Sequence, residues 1–93
     1  MNIEFDKEEL FDFYTGNYSG KQKFSEIILK GYKKVVEKMI TAENINELSK
    51  IRGLNIEKLN DKWSARINDQ YRVEFDFAKP DTLILLKISK HYE

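Results

Sequence analysis

The sequence contains no cysteine, which excludes a disulfide framework and any thiol chemistry. It contains a single histidine, so a transition-metal site built from His and Cys is not expected. With four glycines it offers no glycine-rich phosphate loop, and no G-x-S-x-G nucleophile elbow is present. No stretch approaches the roughly 18 apolar residues of a membrane span. The opening Met1-Asn2-Ile3-Glu4-Phe5-Asp6 has neither the basic nor the apolar region of a signal peptide. A cytoplasmic location is therefore expected, with no membrane partner. No internal repeat or low-complexity tract interrupts the 93 residues, and residues 1–93 are expected to form one domain.

Net charge is also absent, but its distribution is uneven. Residues 1–19 carry one Lys against five acids, whereas residues 20–40 carry six Lys against two. Residues 41–49 hold two acids and no base, and residues 50–93 hold nine bases against seven acids. The Lys excess of 20–40 fits the solvated face of a helix. Charge alone singles out no partner.

What the chain does have is two kinds of hydrophobic period. Ile3 and Phe5 alternate as in a short opening strand. Asp6, with Glu9 three residues on, has the spacing of a capping box ahead of Leu10, Phe11, Phe13 and Tyr14. Residues 15–20 read as a loop. Over Lys21 to Ile40, the residues Phe24, Ile27, Ile28, Tyr32, Val35, Val36, Met39 and Ile40 recur at spacings of three and four, which predicts an amphipathic helix. Gly31 inside it costs about 1 kcal/mol against Ala and marks a close approach to the sheet. Thr41 or Asn44 caps a short helix to Ile51, and Gly53 takes the C′ position.

From Leu54 onward the period becomes 2. Leu54 and Ile56 lead to a turn at Asn60-Asp61. Trp63, Ala65 and Ile67 point one way, and Lys62, Ser64 and Arg66 the other. Asn68-Asp69-Gln70 connects a hairpin. Beyond it Tyr71, Val73, Phe75 and Phe77 share one face, and Arg72, Glu74 and Asp76 share the opposite one. A turn at Lys79-Pro80-Asp81 precedes an almost continuous apolar strand, Thr82 to Ser89. The order of elements predicts an α+β fold, with helices packed on one face of a small, mostly antiparallel twisted sheet.

By parity the face turned away from Trp63, Tyr71 and Phe75 carries Ser64, Arg66, Arg72, Glu74, Lys87, Ser89 and His91. Guanidinium groups on neighbouring strands suit bidentate recognition of phosphate. A His suits proton transfer near neutral pH. Glu74 reads as a solvated partner of Arg72, and Trp63 as a core or edge aromatic.

These residues carry a resemblance. Gly53-x₃-Glu57-Lys58-Leu59, then Trp63-Ser64-Ala65-Arg66-Ile67-Asn68-Asp69-Gln70-Tyr71-Arg72-Val73-x-Phe75, and finally Ile88-Ser89-Lys90-His91-Tyr92, resemble HigB. HigB is the plasmid-maintenance killer branch of the RelE/ParE toxin superfamily. About the last 45 residues match closely and the helical half matches in layout. The departure is at the end: His91 stands where the family's D-Y-H ending has Asp, and Glu93 where it has His. The resemblance implies a RelE-like, microbial RNase-like fold and ribosome-dependent, metal-independent cleavage of mRNA with no cofactor. It further implies a cognate antitoxin of helix-turn-helix type, through which alone DNA would be contacted. The resemblance carries Arg66, Arg72 and Tyr92 over as site residues; His91, as acid or base, completes the candidate catalytic set, and Lys58, Lys62 and Lys90 are candidate clamps on the RNA backbone. Two alternatives remain: a ParE-like toxin acting on a protein target such as gyrase, and a degenerate toxin that only binds its antitoxin.

Overall fold

A computed structural model describes residues 1–90 of the chain. The elements run β1 (Asn2–Phe5), α1 (Glu8–Thr15), α2 (Glu26–Thr41), α3 (Ile45–Lys50), β2 (Glu57–Lys58), β3 (Trp63–Arg66), β4 (Tyr71–Lys79) and β5 (Thr82–Lys90). The strands form a single five-stranded sheet in the order β1-β5-β4-β3-β2. β1 runs parallel to β5, and the other neighbours are antiparallel. The α+β arrangement expected from the change of period is the one observed.

One face of the sheet is sealed. Ala65, Val73, Phe75, Leu83 and Leu85 are fully buried in one cluster with Leu10 and Phe13 of α1 and Leu29, Tyr32, Val35, Val36 and Met39 of α2. Burying each Leu, Val, Met or Phe side chain contributes about 1.5–3 kcal/mol relative to leaving it in water. Among the described residues of this cluster, Tyr32 brings a polar tip inside. Its hydroxyl donates to the Leu10 carbonyl at 2.7 Å, which fixes α1 to α2, and burial, with Tyr14 nearby, keeps the phenol protonated far above its usual range.

Several local expectations change. α2 starts at Glu26, not Lys21, because the Ser25 side chain caps it by accepting from the Ile28 N–H at 3.4 Å. Its buried stripe is Ile28, Leu29, Tyr32, Val35, Val36 and Met39, while Ile27 is 78% exposed and Ile40 44%. Three consecutive apolar residues, Ile27-Ile28-Leu29, had left the phase of the stripe undecided by one position. Asp6 does not cap α1, whose first turn has no side-chain cap. The Asp6 N–H instead extends the sheet by donating to the Leu85 carbonyl at 2.9 Å. Asn44 does cap α3, accepting from the Glu47 N–H at 3.0 Å. Gly53 lies beyond the C′ position, at φ +92° in the turn that the Leu54 N–H closes onto Ile51 at 3.4 Å. Gly31 does mark a close approach: a Cβ there would meet Ile67 Cγ2 at 2.8 Å.

β5 contains the feature that makes a second face. Its pairing with β4 shifts between Glu74/Phe75, so that Glu74 faces Lys87 and Phe75 faces Leu85, leaving Leu86 as the extra residue of a bulge. Without it, Leu83, Leu85, Lys87 and Ser89 would all point the same way. With it, the two leucines enter the core and Lys87 and Ser89 turn to the face opposite the helices.

Candidate functional site: a cationic cleft on the open sheet face

Register alone builds two cross-strand rows on the open face. One runs Glu57, Ser64, Glu74, Lys87 across β2 to β5. The other runs Arg66, Arg72, Ser89 across β3 to β5. Arg66 and Arg72 are direct partners, an arrangement that like charges destabilise unless something offsets it. Two acids do so. The Arg66 guanidinium donates to the Asp69 carboxylate at the hairpin tip. Arg72 Nε lies 3.3 Å from Ser89 Oγ and 4.0 Å from Glu74 Oε2.

Glu74 corrects the expectation of a solvated carboxylate: it is 3% exposed, between β3 and β5. Its closest partner is Lys62 Nζ, 2.5 Å from Oε1, an ion pair without hydrogen-bond alignment, so that Oε1 has no aligned donor. Burial pushes the Glu74 carboxyl up, but Lys62, Ser89 and Lys87 outweigh that and hold it below the ordinary carboxylate range. Lys62 is held above its ordinary value, first by its direct contact with the Glu74 carboxylate and then by that residue's charge. This mixed stack leaves the sheet face polar yet nearly dry beneath the arginines.

Above it opens a cavity of about 340 Å³ lined by Asn55, Glu57, Ser64, Arg66, Asn68, Asp69, Tyr71 and Arg72. The local fold explains its walls. Asn68 Oδ1 accepts from the N–H groups of Gln70 and Tyr71 at 2.9 and 2.8 Å, the turn chemistry expected of this hairpin, and this sets Asp69 outward toward Arg66. On the other side Asn55 adopts a left-handed φ of +43°, which Asn tolerates better than most residues. The Leu54 carbonyl accepts from the Arg66 N–H at 2.6 Å, so the chain entering β2 is tied to the end of β3. That tie brings Glu57 to the cleft wall.

The candidate residues therefore separate. Arg66 and Arg72 share the cleft. Lys62 is beside it, bound to Glu74. Lys58 lies on the helix-side face, its ammonium 4.7 Å from the centre of the Trp63 ring, and Lys90 lies opposite Tyr71 on that same face. Neither lines the cleft. His91 and Tyr92 lie outside the described residues. Glu57 and Asp69 were not singled out from sequence, although Glu57 falls on the open face once β2 is put in register with β3. Chemically the cleft offers two adjacent guanidiniums, which can grip a phosphate, and two carboxylates able to accept protons or hydrogen bonds.

No family model matches the sequence, and no curated protein matches it. Solved structures do match by fold. A chain of the YoeB–YefM complex from Staphylococcus aureus superposes with a TM-score of 0.61 at 20% identity, over 99% of this chain and 98% of that one. The conserved hypothetical protein HP0894 from Helicobacter pylori superposes with a TM-score of 0.56 at 18% identity, over 100% and 97%. Two structures of matching length thus bear out the RelE-like α+β fold that the sequence implies.

Proposed function

We propose that the chain is the toxin of a type II toxin–antitoxin pair, of the HigB branch, and that it cleaves mRNA on the ribosome without a metal. The observation that carries this reading is the directly opposed pair Arg66 and Arg72 on one wall of a cleft that also holds Glu57. Two cations placed face to face cost stability, and a phosphate between them repays it. The S-x-R-I-N-D-Q-Y-R run supports the branch assignment. The YoeB–YefM neighbour supports an antitoxin partner.

RNA brings its own nucleophile. A base removes the proton of the 2′-OH, whose oxygen attacks the adjacent phosphorus. The 5′-oxygen departs with a proton from an acid, leaving a 2′,3′-cyclic phosphate and a 5′-OH. In this reading Glu57 is the base on the cleft wall, and His91 is the acid, with Tyr92 orienting it or stacking on a base. Arg66 and Arg72 stabilise the charge growing on the phosphorane oxygens, worth about 2–4 kcal/mol each if they act as oxyanion-hole donors do. An entering phosphate displaces Asp69, which is 87% exposed, from Arg66. Glu74 and Ser89 hold Arg72 from behind. Lys62, beside the cleft, would steady flanking backbone, whereas Lys58 and Lys90 face the other side of the sheet and take no part.

The test is ribosome-dependent cleavage of a defined transcript by purified protein. Arg72→Ala, His91→Ala and Glu57→Gln are each expected to lower the rate by about 100-fold or more. Rates within threefold of wild type for both Arg72→Ala and His91→Ala would sink the assignment. A second reading, a degenerate toxin that only binds its antitoxin, is favoured by the internal pairing of both arginines. Induced expression distinguishes the two: growth arrest with cut transcripts supports the nuclease, and neither effect supports the binding module. DNA damage on induction would point to a ParE-like action on gyrase.

A further inference from the structure

Two cations share one buried carboxylate under the arginine cleft. Glu74 lies two residues from Arg72 on β4 and on the same face of the sheet, and its side chain is 4% exposed. Lys62 and Arg72 take different oxygens of it. Lys62 Nζ is 2.5 Å from Oε1, whereas Arg72 Nε is 4.0 Å from Oε2.

That inequality decides what Arg72 can do. An ionised carboxylate this deep needs a cation close to it. Lys62, itself partly open to water, supplies that contact. Arg72 stands off beyond hydrogen-bond range, and its Nε–H donates instead to the neutral Ser89 Oγ at 3.3 Å. The other charged groups around Glu74 leave this balance in place. Lys87, its Cα partner on β5, is exposed and adds only its field. Glu57, two strands away in the same row, is exposed, and Arg66 is engaged by Asp69 at the hairpin tip.

We propose that Lys62 sets the availability of Arg72: by occupying Glu74 it keeps that carboxylate from capturing the guanidinium, and so leaves Arg72 free to take a phosphate group. Lys62 is thus a positioning residue that acts through Glu74. Without its charge, Glu74 would draw Arg72 into a close charge-assisted pair and compete with an entering phosphate for the same nitrogens. With Glu74 neutralised as well, Lys62 has nothing left to hold back, and its loss should matter little. The phosphate half of this inference rests on the reading of the cleft as a phosphate site. The contest between Lys62 and Arg72 for Glu74 does not.

The experiment is a double-mutant cycle of Lys62→Gln and Glu74→Gln in the full-length chain, read by NMR at the Arg72 Nε–H with and without inorganic phosphate. Lys62→Gln keeps a donor for Oε1 and removes the charge. In this variant, without phosphate, exchange of the Arg72 Nε–H with water is expected to slow about tenfold, and phosphate affinity to fall about tenfold. In the Glu74→Gln background, Lys62→Gln should change either quantity by less than about twofold. Lys62→Arg, which retains the cation, should match wild type in both. A loss of phosphate affinity that persists undiminished in the Glu74→Gln background would overturn the proposal, since Lys62 would then touch the anion itself. Unchanged Arg72 exchange in Lys62→Gln would overturn it too. So would failure of that variant to fold, because Arg72 is expected to take over as partner of the carboxylate. If phosphate leaves the Arg72 signal of wild type unmoved, the phosphate reading of the cleft fails, and the exchange comparison still decides the contest for Glu74. Absence of transcript cleavage with these results intact would count only against the nuclease reading.

Discussion

The two faces of this sheet are built on opposite principles. On the helix side the middle of the central strands is apolar and fully buried, from Ala65 and Val73 to Leu83 and Leu85. On the other side Ser64, Glu74 and Ser89 are almost as deeply buried, yet each is polar, and the residues above them are arginines. The first face gains stability from area removed from water. The second holds a charged stack in which each partner offsets the desolvation of the next, an arrangement that seldom outperforms an apolar one of the same shape. A small domain that devotes half of its sheet to such a stack has given that surface to something other than folding.

Substitutions can break or sharpen this contrast. The largest effect is expected on the sealed face: Phe75→Ala should destabilise by about 3–5 kcal/mol in urea denaturation, because the cavity cannot collapse between α2 and the sheet. Glu74→Gln should cost less, about 1–2 kcal/mol, since Lys62 can turn to solvent. If the order of these two were reversed, the open face would be the one that holds the fold.

The Glu74 variant also carries a pH signature. The folded carboxyl lies below its unfolded value of about 4.3, so its contribution is complete above that pH and is lost as pH falls through the folded value. Lys62 is raised above about 10.4, so its contribution is present below that pH and is lost as pH rises through the folded value. The stability gap between wild type and Glu74→Gln should therefore be widest near neutrality and narrow at both extremes. A gap that does not change from pH 3 to pH 8 would show that the pair contributes no linkage.

Gly31→Ala tests where the two layers touch. A gain of about 1 kcal/mol in helix propensity competes with overpacking of about 1–3 kcal/mol against Ile67, for a net loss of about 1 kcal/mol. Ile67→Leu removes the clashing methyl, so the double variant should recover most of that loss in a double-mutant cycle. Smallest of all, Asn44→Ala should cost about 0.5–1 kcal/mol, whereas Asp6→Ala, which removes no capping bond, should be nearly neutral.

Much of this was legible because alternation is a strong signal. Trp63 to Phe77 alternates cleanly, and it gives the hairpin, both faces and the shared side of Arg66 and Arg72. What escaped depends on register and packing. Residue 86 reverses the phase of β5, and its bulge becomes visible only through the pairing with β4. Asp69 reads as turn chemistry, and its contact with Arg66 arises from the three-dimensional path of the turn. Glu57 sits in a strand of two residues, too short to show a period. Glu74 looked solvated because alternation reports direction, not cover, and both neighbouring strands shield it. Parity along β5 places His91 with the arginines, and that expectation lies outside the described residues.

The parallel pairing of β1 with β5 has a consequence for how the molecule comes into being. Asn2 lies beside Thr82, so β1 meets β5, its one strand partner among the described residues, only far along the sequence. Contacts this remote along the chain slow folding and are made late. Helices α1 and α2 and the β3–β4 hairpin can assemble from local contacts during synthesis. The edge formed by β1 must wait until β5 has been made, and the five described strands come together only then.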